Sequence, residues 1–395
     1  MEAEVKRKRG YSSLNMLGKR EIGQQFLKHD TLTSKYYKHL KMSWNQDEAH
    51  GAIFNLEFSP SGKMLVAACE ERAILLYDPI SRKCVHRMPN AHEDSVNTIC
   101  FCDERIFASG SDDCNVALWD TRMLGEHIME LSGHTGWVKS LVYDTNTKML
   151  LSSAFDGTVR MWDINRSPCS EHDASVTMYS DRDVSRMQVT LNKLIISCQN
   201  WENSGDIIII FHNLDLPHFA DDLSDGVPAE NENDEVHIRN IPERLSSNSE
   251  YIDIPLRIPS FVVHPHGSCL VSRYLTTNND EYTIVHDMQS CFSCGERRLS
   301  YYIQESVSGS GFIKEQGFSP DGRVIASPFG HGTRLLAFDS DCSHWRKHSK
   351  VKSLSEVKFL LGHSMPVCCS KFSPNHMLLA TGCLAGKIAF HEPKL

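Results

Sequence analysis

Two sets of residues in this sequence have the types that carry out acyl transfer. His134, Ser152 and Asp156 make one set, with Trp162 just beyond, and His92, Ser109 and Asp113 make the other, with Trp119. A hydroxyl nucleophile, an imidazole base and an orienting carboxylate suffice for a hydrolase, provided the base reaches the hydroxyl. The spacing argues against it. The two His lie 42 residues apart and the two Trp 43, so one constellation occurs twice at one period. A set that recurs with its element serves that element, and a second copy argues against a unique active site. In the structural reading the Asp binds the His, the Ser hydroxyl bridges toward the Trp indole, and each buried polar group supplies a partner for the next.

The other chemical motifs are weaker. Cys291 and Cys294 form a single CxxC beside Arg297 and Arg298. Structural zinc needs four ligands, and no second CxxC or His pair stands at suitable spacing, so no metal is expected. Gly-rich phosphate loops, H-E-x-x-H, G-x-S-x-G and kinase signatures are all missing, so neither an enzyme nor a cofactor is expected.

The period fixes the elements that must position these residues. Each strong copy opens on a His (Ala91-His92, Gly133-His134) and closes on Trp-Asp (Trp119-Asp120, Trp162-Asp163). Weaker copies cover 53–78, 313–339 and 362–392, and two degenerate ones end at Asn213 and Asp287. Seven units of about 44 residues are within the range of WD repeats. The expectation is an all-β chain: a seven-bladed WD-repeat β-propeller with a short N-terminal helical segment, each blade a four-stranded sheet that cannot bury its faces alone. The seventh unit keeps His363 and Thr381 but has Ala385 where the carboxylate belongs, so its network is expected to be incomplete. It also lacks a fourth strand, which the stretch from Tyr36 to Trp44 is expected to supply, hiding an open edge.

Residues 1–34 read as a tail, 35–395 as the propeller, and 215–250 as an acidic, disordered insertion. Asp221, Asp222, Asp225, Glu230, Glu232, Asp234 and Glu235 crowd into that insertion with few apolar residues. In the tail, Leu14, Leu17, Ile22 and Phe26 recur at near-helical spacing. Such an amphipathic helix binds a partner, lies on its own propeller, or frays; spacing alone leaves this open.

One segment says more. From Phe107 to Arg122 run two hydrophobic or small residues, the small stretch 108–111, the acidic pair Asp112 and Asp113, an apolar approach, and then Trp119-Asp120-Thr121-Arg122. An Arg just past a third strand sits on the propeller rim and offers a planar five-donor fork to carboxylates or carbonyls. The third unit ends Trp162-Asp163-Ile164-Asn165-Arg166, with its Arg one residue late, and is a weaker second candidate. This box resembles that of WD-repeat receptors that dock on the adaptor of cullin-4 ubiquitin ligases. The chain is also similar to the cullin-4-associated factor family at 91–97, 133–139, 143–147, 155–157, 311–315, 318–323 and 372–374, and least in the fourth unit and the acidic insertion. The resemblance implies a non-catalytic substrate receptor whose partners are the damage-specific DNA-binding protein 1 adaptor and, through it, cullin-4. It implies that Trp119, Asp120 and Arg122, with Arg166 as a weaker site, contact the adaptor, and that the helix bearing Leu14, Leu17, Ile22 and Phe26 adds a second contact.

Composition narrows the alternatives. With 41 Lys+Arg against 50 Asp+Glu and 41% hydrophobic residues, the chain is neither a general nucleic-acid binder nor disordered throughout. Apolar runs such as 207–211 are far short of a membrane span. Fourteen Cys in 395 residues are too sparse for a secreted disulfide scaffold, and no apolar stretch follows the basic cluster Lys6 to Arg9. An intracellular protein of cytoplasm or nucleus is expected, that cluster being an import signal or a solvated tail. The rival reading is a WD-repeat scaffold or peptide platform in some other assembly.

Overall fold

The computed structural model describes residues 35–44, 50–165, 175–179, 183–190, 193–199, 207–211, 235–238, 257–275, 281–288, 299–305, 315–346, 348 and 351–393. Among them, short apolar runs between Ser, Pro, Gly and Asp turns form strands that assort into seven sheets. Sheet one comprises Ile53–Phe58, Leu65–Cys69, Ile74–Asp78 and Lys83–Met88. Sheet two comprises Val96–Phe101, Ile106–Ser111, Val116–Asp120 and the three-residue Met129–Leu131. Sheet three comprises Val138–Asp144, Met149–Ala154, Thr158–Asp163 and Ser175–Tyr179.

Burial explains the order. Second strands such as Leu65–Cys69 and Leu379–Cys383 are buried at every position, because a neighbouring sheet covers each face. Their Ala, Ser, Gly and Cys let the sheets approach closely. The fourth strand Lys83–Met88 is mostly exposed. First strands contact one another in cyclic order, Ile53–Phe58 touching Val96–Phe101 on one side and Val367–Phe372 on the other, so the sheets close into a propeller. Six of these first strands carry a register shift near their start, a repeated bulge that sharpens the local twist.

Up-and-down order within a sheet creates two rims. Turns between first and second strands, and between third and fourth, gather on one, called here the lower rim. The remaining turns and the sheet-to-sheet connections gather on the upper rim. Gly62 and Gly322 take φ of +69° in lower-rim turns, where each N–H donates to a Ser carbonyl three residues back at 2.8 Å.

The last sheet takes its fourth strand from the start of the described chain. Leu40–Trp44 pairs antiparallel with Ile388–Pro393, Leu40 opposite Pro393 and Trp44 opposite Ala389. Lys358 Nζ donates to the carbonyls of Lys38 and Leu40 at 2.9 and 2.6 Å, and the Tyr37 ring meets Phe372 edge-on at 6.0 Å. The direction of this strand brings residues 35–39 onto the lower rim.

Two features depart from expectation. Inside the span 215–250, read above as disordered, Glu235–Ile238 forms the fourth strand of sheet four, antiparallel to Ile207–Phe211. Local acidity suggested a loop, but the open edge of an Ile-rich strand supplies backbone partners that composition does not register. Sheet five also gains a fifth strand, Lys352–Ser353, parallel to Leu299–Glu305.

Candidate functional site

The His, Ser, Asp and Trp of sheets two and three meet in two copies of one chain of hydrogen bonds. Asp113 Oδ2 lies 2.8 Å from His92 Nδ1, His92 Nε2 lies 2.7 Å from Ser109 Oγ, and Trp119 Nε1 donates to that hydroxyl at 2.8 Å. In sheet three Asp156 Oδ2 to His134 Nδ1 is 2.8 Å, His134 Nε2 to Ser152 Oγ is 2.7 Å, and Trp162 Nε1 to Ser152 Oγ is 2.8 Å. With a carboxylate at Nδ1, that nitrogen carries a hydrogen and donates, and Nε2 accepts from the Ser hydroxyl, which accepts in turn from the indole. Ser109 and Ser152 have 0% exposure. Hydroxyls so enclosed, each engaged as donor to His and as acceptor from Trp, stand out of reach of a substrate.

Electrostatics fit that structural role. Burial works against ionisation of Asp113, but the hydrogen bond and charge of His92 and the N–H groups of Asn115 and Glu93 hold it below the usual carboxylate range. Asp156 is lowered in the same way against burial, by Thr158, the Thr135 N–H and His134. Burial, followed by Arg160, pushes His134 down, against the pull of Asp156.

The end of sheet two is different. Asp120, 5% exposed, closes a turn by accepting the Arg122 N–H at Oδ1, 2.9 Å, while the Met123 N–H donates to its carbonyl at 2.9 Å. Two guanidinium groups converge on its carboxylate. Arg105 Nε donates to Oδ2 at 2.9 Å, and Arg122 reaches back with Nε and Nη2 at 3.4 and 3.3 Å. The Arg122 backbone N–H, and then its side chain, hold Asp120 below the usual carboxylate range. The Arg122 side chain is nevertheless 64% exposed and that of Arg105 50%. Two outward-facing cations thus share one buried anion.

The same Asp turn recurs with other side chains at its second position. Ile80 N–H donates to Asp78 at 3.0 Å in sheet one, and Asn165 N–H to Asp163 at 3.1 Å in sheet three. Among the described residues of these three sheets, only sheet two puts Arg there. Around it on the lower rim stand apolar side chains that no spacing rule flagged: Met123 at 74% exposure, Ile128 at 54%, and Ile80 of the adjoining sheet at 76%. Beside them lies an open groove of about 620 Å³ whose lining includes His86, Met88, Trp119, Leu124 and His127. Arg105 could not have been read from the sequence, because it joins the site from another turn, fifteen residues before Asp120. The run from Met123 to Ile128 did carry a signal, being unusually apolar for a turn. Arg166, Leu14, Leu17, Ile22 and Phe26 lie outside the described residues, as do Cys291 and Cys294. Among the described residues no group of three or more His, Cys, Asp or Glu could hold a metal ion, and no helix is long and apolar enough to cross a membrane.

Repeated Asp turns, buried His–Ser–Trp chains and closing sheets define a WD-repeat β-propeller. The WD domain, G-beta repeat model matches residues 43–78, 82–120, 125–163 and 354–391. The solved structure of U3-55K superposes with a TM-score of 0.62 at 12% identity, over 89% of this chain and 98% of that one, a likeness of fold alone. DDB1- and CUL4-associated factor 10 of Danio rerio is 37% identical, covering 88% of this chain and 75% of its own. Its counterparts in Xenopus tropicalis and Homo sapiens are each 36% identical, over 92% and 87% of this chain and 90% and 70% of theirs. The chain belongs to the family of DDB1- and CUL4-associated factor 10.

Proposed function

We propose that this protein is a substrate receptor of a cullin-4 ubiquitin ligase and docks on the DDB1 adaptor with the lower rim of sheet two. The observation that carries this reading is Arg122, held in place by Asp120, with most of its side chain outside and apolar neighbours beside it. A surface of exposed Arg ringed by Met and Ile suits burial against another protein, where an Arg fork meets carboxylates or carbonyls and the apolar rim excludes water. The names of the relatives supply the partner. The described chain begins at residue 35 on this same lower rim, which favours the N-terminal segment as a second contact. The receptor's share in the reaction is proximity: it holds a substrate near the charged conjugating enzyme and makes or breaks no bond itself.

Affinity purification from cells tests this. The tagged wild-type chain recovers the adaptor and the cullin together, and Arg122→Ala combined with deletion of residues 10–28 lowers adaptor recovery at least tenfold at an unchanged melting temperature. Unchanged recovery from that variant, or a wild-type chain that brings down other partners without the adaptor, would overturn the reading in favour of a scaffold in another assembly.

A further inference from the structure

The upper rim of sheet three carries a pair of aromatic side chains that the hydrogen-bond network does not use. Trp137 lies in the connection leading into Val138–Asp144, and Phe155 in the turn between the second and third strands. Their rings are tilted by 36° with centroids 6.0 Å apart, yet Trp137 remains 51% exposed. The backbone beneath is fixed. Phe155 N–H donates to the Trp137 carbonyl at 3.0 Å, and a Cβ on Gly136 would stand 2.6 Å from the Asp156 nitrogen. An indole held on a rigid loop and left half uncovered is placed to meet something.

The pair already hosts a cation. Lys139 Nζ lies 4.8 Å from the Trp137 centroid and 5.3 Å from that of Phe155. It donates to Asp112 Oδ1 at 2.7 Å and to Asn97 Oδ1 at 3.2 Å. Two ring faces, a carboxylate and an amide oxygen therefore converge on one ammonium, and this internal lysine shows which charge the patch accommodates. The surrounding turns add more carboxylates: Glu93 and Asp94 are exposed, and the Cys114 thiol lies within the field of Asp94, Asp112, Asp113 and Asp156. Lys139 offsets one of these charges.

We propose that this patch binds a basic polypeptide segment, with one Arg or Lys stacked on the uncovered face of Trp137 and neighbouring cations facing Glu93 and Asp94. The carboxylates repel nucleic acid and leave an acidic peptide unpaired, whereas a cationic segment satisfies both the ring faces and the charge. The assignment of this segment to a ubiquitination substrate rests on the receptor reading above; the binding itself does not. The patch faces away from Arg122, so both rims can be occupied together.

Fluorescence anisotropy with the full chain tests this, using a labelled decapeptide of alternating Gly and Arg and a matched Gly and Glu peptide. The Gly–Arg peptide binds with an affinity that falls as salt rises, and the Gly–Glu peptide does not bind. Trp137→Ala weakens binding roughly tenfold, the loss of a cation–π contact. Glu93→Gln with Asp94→Asn, both on exposed side chains, weakens it and flattens the salt dependence, which keeps the test open should Trp137→Ala fail to fold. Arg122→Ala leaves peptide binding unchanged. Binding that survives Trp137→Ala in folded protein would assign the peptide to acidic residues elsewhere and overturn the proposal, as would binding of the Gly–Glu peptide. The two readings fail separately: peptide binding without adaptor recovery sinks the receptor reading, and adaptor recovery without peptide binding sinks this one.

Discussion

Ala385→Asp would complete, in the seventh sheet, the network that sheets two and three already contain. There His363 Nε2 lies 2.8 Å from Thr381 Oγ1, which lies 2.9 Å from His391 Nε2, so Thr replaces the Ser and His the Trp. The turn that should bring the carboxylate has the right shape. Gly386 takes φ of +72°, as Gly157 takes +73° and Cys114 +70° after Asp156 and Asp113. What this turn lacks is the carboxylate, since Ala385 stands in its place. His363 and His391 are 5% and 1% exposed, and His391 Nδ1 has no hydrogen-bond partner among the described residues. Burial pushes the two rings down to about 4 and about 3.

These shifts determine the sign of the pH dependence. An unfolded His takes up its proton near pH 6.5, while the folded rings stay neutral until about 4 and about 3. Between those values the unfolded state binds more protons, so the stability present above pH 6.5 is lost as pH falls. At pH 5 each ring costs about 2 kcal/mol, and the pair about 4 kcal/mol. An Asp at 385 would face His363 as Asp156 faces His134, favouring the protonated ring. The variant should gain about 1 kcal/mol at pH 7.5 from the hydrogen bond and about 1 kcal/mol more at pH 5. Urea unfolding followed by tryptophan fluorescence at both pH values measures the difference. A wild-type chain equally stable at pH 7.5 and 5, or a variant whose advantage shrinks in acid, would refute the reasoning.

Two further substitutions probe the frame. Ser152→Ala leaves the Trp162 indole N–H and His134 Nε2 without their shared partner inside a closed core, and should cost about 2 kcal/mol in thermal or urea unfolding. Gly322→Ala puts a side chain on a residue with φ of +69°, its Cβ 2.1 Å from His264 Nε2, and should cost about 2 kcal/mol; an unchanged melting temperature would mean that the turn is not built this way.

What could be read from the sequence depended on how local its cause was. The His-to-Trp spacing of sheets two and three is legible because each network lies within one sheet, its polar members separated by fixed strand lengths. The Asp turn is equally local, so Arg122 could be assigned to a rim from its place two residues after Asp120. Arg105 was hidden because its meeting with Asp120 depends on the register of Ile106–Ser111 against Val116–Asp120, which sets Ile106 opposite Asp120. Glu235–Ile238 was hidden for a related reason: its own composition favours solvent, and only the partner strand Ile207–Phe211 makes it a strand. The patch around Trp137 needed two sheets, since Asn97 and Asp112 come from sheet two and the rings from sheet three.

The hydrogen-bond chain of sheet two also bears on how two surfaces on opposite rims could work together. It starts at Asp113 and His92 on the upper rim, passes through Ser109 to the Trp119 indole, and ends one residue before Asp120, which positions Arg122 on the lower rim. Every link is 2.9 Å or shorter, and Trp119 also packs against Phe107 and the His127 ring. A blade tied in this way transmits position rather than absorbing it. On the proposed reading, this stiffness is what proximity catalysis needs, because an effective concentration is gained only if the held substrate cannot swing away from the enzyme that modifies it. On that reading the buried His, Ser and Asp that resemble a catalytic set act with Trp119 as a strut, and loosening them should weaken substrate modification before it weakens binding at either rim.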